Sequence, residues 1–381
     1  MRIKLLTYLI PALCLSCGSP RVGQELPKWK EGELDIHAIR TARGECFFYI
    51  LPDGTTLAVD CGELRNIPDS VISHDPYSDR DIIRRQLPYP GRKAHEIAAD
   101  YMRRHLPEVS ADSLDYMVLT HHHDDHMSGI PGLYRLLPFR TLVDHADTSA
   151  IAEEALGSKH TACYAAFLQE CGIVPQPFVL GPSRSIVPRH GGEWQLTGIC
   201  SDGKVWTPDG VTDAYEGKKR SENGVSIGFF LSYGPFDWVA TGDAGDPNSR
   251  TCFPALQGIG RKVEAMKVPH HFSWKTLSVR VLEMLRPQVL VSESFWSHQP
   301  WKAELAHLLE VNPRPDLFLT GVYEGTVEDN ALGPDDYELM TAHGGNVVLR
   351  VAPGGKSFKV YLTDSEGMIL SSHGPYNSED N

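Results

Sequence analysis

The chain has 381 residues, of which 41% are hydrophobic, and a formal net charge of −13 at pH 7. This length and apolar fraction can bury a sizeable core in one large domain or two small ones. Nonspecific affinity for nucleic acid comes mainly from Lys and Arg on phosphates, so the acidic balance argues against extended nucleic-acid binding and against a processive nuclease. It does not argue against a small phosphoester substrate.

The first 17 residues are predicted to be a signal peptide rather than part of the fold. Two basic residues precede a mostly apolar stretch at 5–15, which is too short for a membrane span. The sequence Ser-Cys-Gly-Ser-Pro at 16–20 resembles a bacterial lipoprotein box with Cys17 as the lipidated residue, and ordinary cleavage followed by secretion is the alternative. We therefore expect an exported protein, a periplasmic or cell-surface lipoprotein of a bacterial membrane that contacts the membrane by its lipid anchor only.

Alternating and periodic apolar patterns predict the elements that follow, in a domain at 34–365 between a linker at 18–33 and a tail at 366–381. Strands are predicted at 34–40, 45–51, 56–60, 115–120, 142–143, 194–200, 225–232, 238–241, 263–268, 288–292, 346–352 and 357–363. Helices are predicted at 93–106, from 128 onward, and at 148–172, 250–258 and 276–285, with a polar surface loop at 207–222. Strands lead, helices follow and the pattern recurs, which suits a layered sandwich with sheets inside and helices outside.

The most informative segment is 120–126, Thr-His-His-His-Asp-Asp-His, which directly follows an apolar run. Histidine and aspartate are costly to crowd together without a partner, and a divalent metal is the usual one. Alternate residues of an extended segment face one side, so His121 and His123 can reach one metal together. Asp125 and His126 can point at a second metal once the chain turns into a helix. A solvated histidine-rich turn is the alternative, but such tracts lack this spacing and strand context.

The spacing H-x-H-x-D-H after a core strand resembles the metallo-β-lactamase fold superfamily. The resemblance implies an α+β fold, a four-layer αββα sandwich, and two divalent metal ions. It also implies that Asp243, at the end of Thr-Gly-Asp, bridges both metals. The first histidine of a Pro-His-His run binds the second metal in this superfamily, which implies that role for His270, with His271 as the alternative.

The third histidine of the first metal is open between two candidates. His190, in Pro-Arg-His-Gly-Gly, lies in the interval where the superfamily has it. His145, in Val-Asp-His, is the competitor. Either side chain could instead be a plain surface histidine.

Further motifs resemble the soluble, ComEC-like metallohydrolase branch of the superfamily. Residues 42–46, 60–62, 223–226 and 268–272 resemble the G-x-G-D-A, I-D-x-G, N-x-x-S and P-H-H-G motifs of the ComEC-type DNA-uptake proteins. The resemblance covers roughly residues 34–300, and Phe272 departs from it by replacing the glycine.

Three residues in or near these motifs are expected to support the metal ligands. Metal-binding histidines usually donate their other ring nitrogen to a carboxylate or carbonyl, which favours Asp60 in this role. Asn223 of the N-x-x-S-like motif and His298, where the family has His-Pro, are the other two.

These observations together predict an exported dinuclear metal-dependent hydrolase. The bridging metals are most simply zinc, with manganese or iron as alternatives. A hydroxide bridging the metals would be the nucleophile and Asp125 would be the catalytic residue that orients it. A bridging aspartate suits phosphoesters, in particular phosphodiesters, of a small molecule or an oligomer. The alternatives are a lactone, β-lactam or thioester hydrolase, and, in another class, a non-catalytic ligand-binding lipoprotein.

Overall fold

Two large β-sheets dominate the computed structural model of this protein. The structure describes residues 20–64, 72–74, 81–84, 91–110, 112–145, 159–182, 185–296, 298–322 and 330–379. The predicted signal segment with Cys17 lies outside the described residues, as do positions 148–158 of one predicted helix.

The first sheet combines strands from both ends of the described chain. Numbered in chain order, its strands are β1 Leu34–Ala38, β2 Phe47–Ile50, β3 Thr56–Val59, β6 Leu114–Val118, β7 Phe139–Asp144, β8 Gln176–Pro177, β19 Asn346–Val351, β20 Ser357–Thr363 and β21 Ile369–Asn377. Their order across the sheet is β21-β20-β19-β1-β2-β3-β6-β7-β8. Strands β3, β6, β7 and β8 pair in parallel, so their carboxyl ends share one edge.

The second sheet comes from the middle of the chain. Its strands are β9 Gly181–Pro182, β10 Gln195–Ser201, β11 Lys204–Thr207, β12 Gly210–Asp213, β13 Gly228–Tyr233, β14 Phe236–Ala240, β15 Ala265–Lys267, β16 Val289–Ser292, β17 Asp316–Leu319 and β18 Ala342–His343. The order is β12-β11-β10-β13-β14-β15-β16-β17-β18, with β9 also paired to β10. The run from β14 to β18 is parallel. Strands β4 Ile72–His74 and β5 Asp81–Arg84 form a separate hairpin.

Helices connect these strands and cover the sheets. The α-helices are α1 Ala94–His105, α2 Asp124–Met127, α3 Ile130–Leu136, α4 Lys159–Cys171, α5 Cys252–Ile259, α6 Val279–Leu285, α7 Lys302–Ala306 and α8 Pro334–Tyr337. Short 3-10 helices span Glu108–Ser110, Asn223–Val225, Pro269–Phe272 and His307–Leu309. In the described part of the chain, no helix is both long and apolar enough to cross a membrane.

Alternation along the strands builds the layers. In β2, Phe47 and Tyr49 enter a core shared with Phe229 and Trp238 of the second sheet, whereas Phe48 enters a core with α1, α3 and α4. Successive strand residues point to opposite faces, so a strand that is apolar throughout is covered on both sides. Helices α5, α6 and α7 cover the outer face of the second sheet in the same way. The result is the predicted four-layer αββα sandwich.

The predicted chain ends and one predicted loop differ from the structure. Residues 369–377, predicted as part of a tail, form the edge strand β21 beside β20. In the predicted linker, Leu26 is buried and Glu25 pairs with Met368 in a β-bridge. The predicted loop at 207–222 includes β12, whose residues are all exposed and pair with β11. These strands carry too few apolar side chains for a hydrophobic pattern to reveal them.

Candidate metal centre

The predicted metal ligands meet at the edge where parallel strands of both sheets end. Asp60 follows β3 and the segment 120–126 follows β6, both in the first sheet. Asp243 follows β14, and the Pro-His-His run at 269–271 follows β15, both in the second sheet. Residues at strand ends are held by a rigid scaffold, which suits a preorganised site.

Backbone contacts fix the segment that carries Asp125 and His126. The amide of Glu45 donates to the carbonyl of Asp125 at 2.8 Å, and the amide of Cys61 donates to the carbonyl of His126 at 2.8 Å. A Cβ at Gly62 would lie 1.6 Å from the Asp125 carbonyl oxygen, so only glycine permits this approach. The motifs at 42–46 and 60–62 therefore form the wall against which the ligand segment packs.

A single carboxylate oxygen forms the centre of the cluster. Asp243 Oδ2 lies 3.1 Å from His126 Nε2 and 3.4 Å from His271 Nε2. It also lies 3.7 Å from Nε2 of both His121 and His270. Four imidazole nitrogens therefore converge on one buried oxygen.

The remaining motif side chains lie at the border of this group. Nε2 of His121 lies 3.1 Å from Nδ1 of His123, and Asp125 Oδ2 lies 3.5 Å from His271 Nε2. The side chain of Asp125 is 21% exposed, whereas those of His121 and His271 are fully buried. Asp125 therefore forms part of the open side of the cluster.

Buried carboxylates orient two of the histidines from behind. Asp60 Oδ2 lies 2.7 Å from His126 Nδ1, and Glu45 Oε2 lies 3.1 Å from His271 Nδ1. A carboxylate that accepts a hydrogen bond from Nδ1, as Asp60 does from His126, fixes the tautomer in which Nε2 carries no proton and can bind a metal. The contact between Glu45 and His271 is an ion pair without hydrogen-bond geometry. Lys267 Nζ lies 2.9 Å from Glu45 Oε2 and donates to the Gly242 carbonyl at 2.8 Å. Lys267 thereby links the end of β15 to the segment after β14 and to Glu45.

The protonation equilibria show a strong excess of negative charge at the centre. Burial lowers the pKa of His126 and of His271, but the Asp243 carboxylate and its neighbours outweigh it and raise both values well above normal. Burial would raise the pKa of Asp243, but the surrounding imidazoles hold it well below its usual range. Burial and the charge on His126 lower the pKa of His121 well below normal. The cluster thus attracts cations, and protons compete for the same atoms.

The donor set fits a divalent metal ion. One donor atom from each of Glu45, His126, Asp243 and His271 lies within 4.8 Å of the other three, and all four residues are buried. Two ligands about 2.1 Å from a tetrahedral zinc ion lie about 3.4 Å apart, close to the 3.1 and 3.4 Å found between His126, His271 and Asp243. Asp243 Oδ1 is buried and accepts no hydrogen bond from the described residues; Lys267 Nζ lies 4.0 Å from it.

An unusual backbone presents the Pro-His-His run. His270, His271 and Phe272 have positive φ angles of 49°, 55° and 62°. Such conformations are rare for residues other than glycine and cost on the order of 1–3 kcal/mol each. The left-handed turn is what directs both imidazoles toward Asp243, and buried Phe272 anchors it in the outer core of the second sheet.

The structure changes the choice between the two adjacent histidines. We predicted His270 as the ligand and His271 as the alternative, but it is His271 that lies in the buried group with His126 and Asp243. His270 is 28% exposed, and its Nε2 lies 3.5 Å from the side-chain nitrogen Nδ2 of Asn223. Sequence order alone could not reveal this, because the left-handed turn changes the usual side-chain directions.

Neither candidate for the third histidine of the first metal is at the cluster. His190 is exposed, and its amide donates to Asp53 at 3.0 Å, in the turn at the opposite end of β3 from Asp60. His145 is buried but pairs with His122, on the far side of the motif segment. The ring of His298 lies 5.2 Å from that of Trp301.

Several buried residues of this region were missed by the sequence analysis. Glu45, Lys267 and Glu293 are fully buried around the ligands, and Glu293 accepts a hydrogen bond from the Cys46 amide at 2.7 Å. Burial and then the charge on Glu45 raise the pKa of Glu293 well above normal, which favours its neutral form. For Glu45 a signal existed, because it occupies the acidic position of the G-x-G-D-A-like motif.

Comparison with known proteins agrees with this geometry. Residues 92–164, which contain the H-x-H-x-D-H segment, match the family model Lactamase_B, described as the Metallo-beta-lactamase superfamily. Over these residues the chain is similar to the metallo-β-lactamase superfamily. The four-layer sandwich agrees with the metallo-β-lactamase fold that the sequence motifs predicted. No curated protein matches the sequence.

Solved structures resemble the chain only distantly. A protein from Parabacteroides distasonis assigned as a metal-dependent hydrolase has 12% identity and a TM-score of 0.39, over 77% of this chain and 96% of its own. CmlA, a diiron β-hydroxylase from Streptomyces venezuelae, has 14% identity and a TM-score of 0.37, over 72% and 46%. A diphosphatase from the PhnP family has 10% identity and a TM-score of 0.36, over 77% and 95%. Likenesses at this level do not decide the reaction of this chain.

Proposed function

We propose that this protein is a metal-dependent hydrolase that holds two divalent metal ions, most simply zinc, on either side of Asp243. The observation that carries the proposal is the convergence of four imidazole Nε2 atoms on Asp243 Oδ2 at 3.1–3.7 Å. One buried carboxylate oxygen cannot accept hydrogen bonds from four imidazoles at once. Two shared cations would satisfy all five groups together.

The contacts support a division of the donors into two sets that share Asp243. Asp125, His126 and His271 lie together on one side, since His271 Nε2 is within 3.5 Å of both others. His121 and His123 lie 3.1 Å apart on the other side. His270 Nε2 lies 3.7 Å from Asp243 Oδ2, and its ring centre lies 5.9 Å from that of His271, so His270 borders the first set.

When bound, two such ions supply Lewis acidity that activates water and stabilises both the attacking and the leaving oxygen of a displacement. The protein supplies the positions. Burial would raise the pKa of Asp125, but the charge on His126 and the bond to His271 hold it well below normal, so the carboxylate is ionised. Because Asp125 is also partly exposed, it can accept a hydrogen bond from water or substrate.

We infer that the substrate is a small or oligomeric phosphoester. A carboxylate at the shared position supplies an oxygen donor where a thiolate would select softer ions, and this suits oxygen-rich substrates. Exposed Trp274 follows the ligand turn, and Lys275 Nζ lies 4.0 Å from the centre of its ring. This pair offers positive charge and a flat apolar face to an anionic substrate.

A substrate screen of the metal-loaded full chain tests the proposal. We expect cleavage of bis-p-nitrophenyl phosphate, and at least about a 100-fold loss of activity in Asp243→Asn and Asp125→Asn, as for other changes at metal sites. Asp53→Asn, which removes a buried carboxylate at the other end of β3, is the matched control and should retain activity. Cleavage of nitrocefin or lactones without cleavage of the phosphodiester would refute the substrate class, and activity that survives in Asp243→Asn would refute the metal mechanism.

We also propose that the protein is exported and anchored by a lipid on Cys17. The support is the sequence at 1–20 alone, with its basic start, apolar stretch and lipoprotein-like box. Metabolic labelling with a radioactive fatty acid should mark the full chain and leave Cys17→Ala unlabelled. Equal labelling of both proteins, or of neither, would contradict the anchor.

A further inference from the structure

A second group of metal-binding side chains lies behind the motif segment. His122 is the spacer between His121 and His123, and in an extended segment it points to the opposite face. Its Nδ1 lies 2.9 Å from His145 Nε2 and 3.4 Å from Glu222 Oε1. His145 Nε2 and Glu222 Oε1 lie 3.8 Å apart.

These side chains are withdrawn from solvent. The side chains of His122, His145 and Glu222 are 5%, 0% and 0% exposed. The one acidic and two imidazole groups come from three distant segments, namely the end of β6, the end of β7 and the 3-10 turn before β13. Glu222 Oε1 accepts a hydrogen bond from the His122 amide at 2.7 Å, and a cation at the same oxygen would compensate the charge of the buried carboxylate.

A carboxylate lies near Nδ1 of His145, as it does for His126 and His271 at the Asp243 cluster. Asp202 Oδ1 lies 3.0 Å from His145 Nδ1, as Asp60 lies 2.7 Å from His126 Nδ1 and Glu45 lies 3.1 Å from His271 Nδ1. A carboxylate this close to Nδ1 favours a proton there, which would leave Nε2 available as a ligand, although only the contact of Asp60 with His126 has the geometry of a hydrogen bond. This arrangement is a recurring feature of histidines that bind metals.

The spacing of the three donor atoms is that of ligands around one ion. Ligands about 2.1 Å from a tetrahedral ion are about 3.4 Å apart, and the three separations here are 2.9, 3.4 and 3.8 Å. Two imidazoles and one carboxylate favour zinc over magnesium or calcium, which prefer oxygen alone.

We propose that His122 Nδ1, His145 Nε2 and Glu222 Oε1 bind one Zn²⁺ ion, separate from the ions of the Asp243 cluster. This ion is structural. It would tie the ends of two first-sheet strands to the turn between β12 and β13 of the second sheet. Because His122 lies between His121 and His123, the same ion fixes the backbone that presents both of those ligands.

Zinc content tests the site independently of any activity. In a full-chain background that carries His126→Asn and Asp243→Asn, zinc loading followed by desalting should leave one equivalent per chain. Adding His145→Asn should remove it, whereas adding His190→Asn, at an exposed histidine, should not. Equal zinc in the His145→Asn and His190→Asn proteins would overturn the proposal in favour of the competing state, in which His145 is protonated between Asp202 and Glu222.

A measurement on the unaltered protein guards against a variant that fails to fold. Crystals of the zinc-loaded wild-type chain, measured on both sides of the zinc absorption edge, should give an anomalous peak among His122, His145 and Glu222. Absence of that peak refutes the site, even if peaks appear at Asp243. Peaks here but not at Asp243 would instead refute the proposed function and leave this site standing.

Discussion

The carboxylate of Asp60 provides the sharpest test of how the cluster binds its ions. It lies 2.7 Å from His126 Nδ1, and its other oxygen accepts from the Thr120 amide at 2.7 Å. In Asp60→Asn one of the two positions must become an NH₂ donor. If the new NH₂ group faces Thr120, it meets the backbone N–H of that residue, which is also a donor. If the NH₂ group faces His126, Nδ1 of that ring must become an acceptor. The ring proton then moves to Nε2, the atom that should bind the metal.

Both outcomes weaken metal binding at the position that His126 occupies. Loss of such a supporting carboxylate typically lowers metal affinity about 10–100-fold. Because Asp60→Asn also places two donors against each other, we expect a loss near the upper end of this range. A 100-fold loss corresponds to about 3 kcal/mol of binding free energy. Competition with a chromophoric chelator measures the zinc Kd directly. The matched control is Asp53→Asn, whose carboxylate accepts from Thr55 and Trp194 far from the ligands. A zinc Kd for Asp60→Asn within threefold of the wild-type value would refute the reasoning.

Three further predictions follow from contacts around the cluster and under the first sheet. His271→Asn should weaken zinc binding more than His270→Asn, because only His271 is fully buried and backed by Glu45; equal Kd values in chelator competition would contradict this. Gly62→Ala should lower both the Tm and the zinc content, because its Cβ would meet the Asp125 carbonyl, and an unchanged Tm would refute the close packing. Burial and then the charge on His37 lower the pKa of His105 to about 3. Below about pH 6.5 the unfolded state therefore binds more protons than the folded state. The free energy of unfolding should decrease as the pH is lowered, by up to about 3 kcal/mol at pH 4.5. Urea unfolding at pH 7 and 4.5 should show a smaller loss for His105→Gln; parallel losses would exclude His105 as the cause.

The local part of the site could be read from the sequence. The segment 120–126 is specific because its spacing and the preceding apolar strand lie within one short stretch. Asp243 and the Pro-His-His run also follow apolar strands, so their positions at an edge of a sheet were predictable. The αββα layering came from the resemblance, and the two-sided burial of strands such as β2 agrees with it.

The parts that failed depend on contacts between distant segments. His190 stood in the expected interval, but the hydrogen bond of its amide to Asp53 holds it at the wrong end of β3. His145, His122 and Glu222 lie in three segments that are distant in sequence, so no local motif predicts that they meet. Strand β21 was missed for a different reason, since it forms by pairing with β20 and most of its side chains are not buried.

The exposure of the donors indicates the direction from which substrate arrives. The donors backed by Asp60 and Glu45 are buried and held from behind, so the inner half of the cluster is rigid and closed. Asp125 and His270 are 21% and 28% exposed and have neighbours that contact solvent. Trp274, 52% exposed, follows in the same turn. We therefore predict that substrate approaches the proposed ions past the Pro-His-His turn. The strained left-handed backbone of that turn then has two effects, because it directs two imidazoles inward and leaves the indole outside at the entrance.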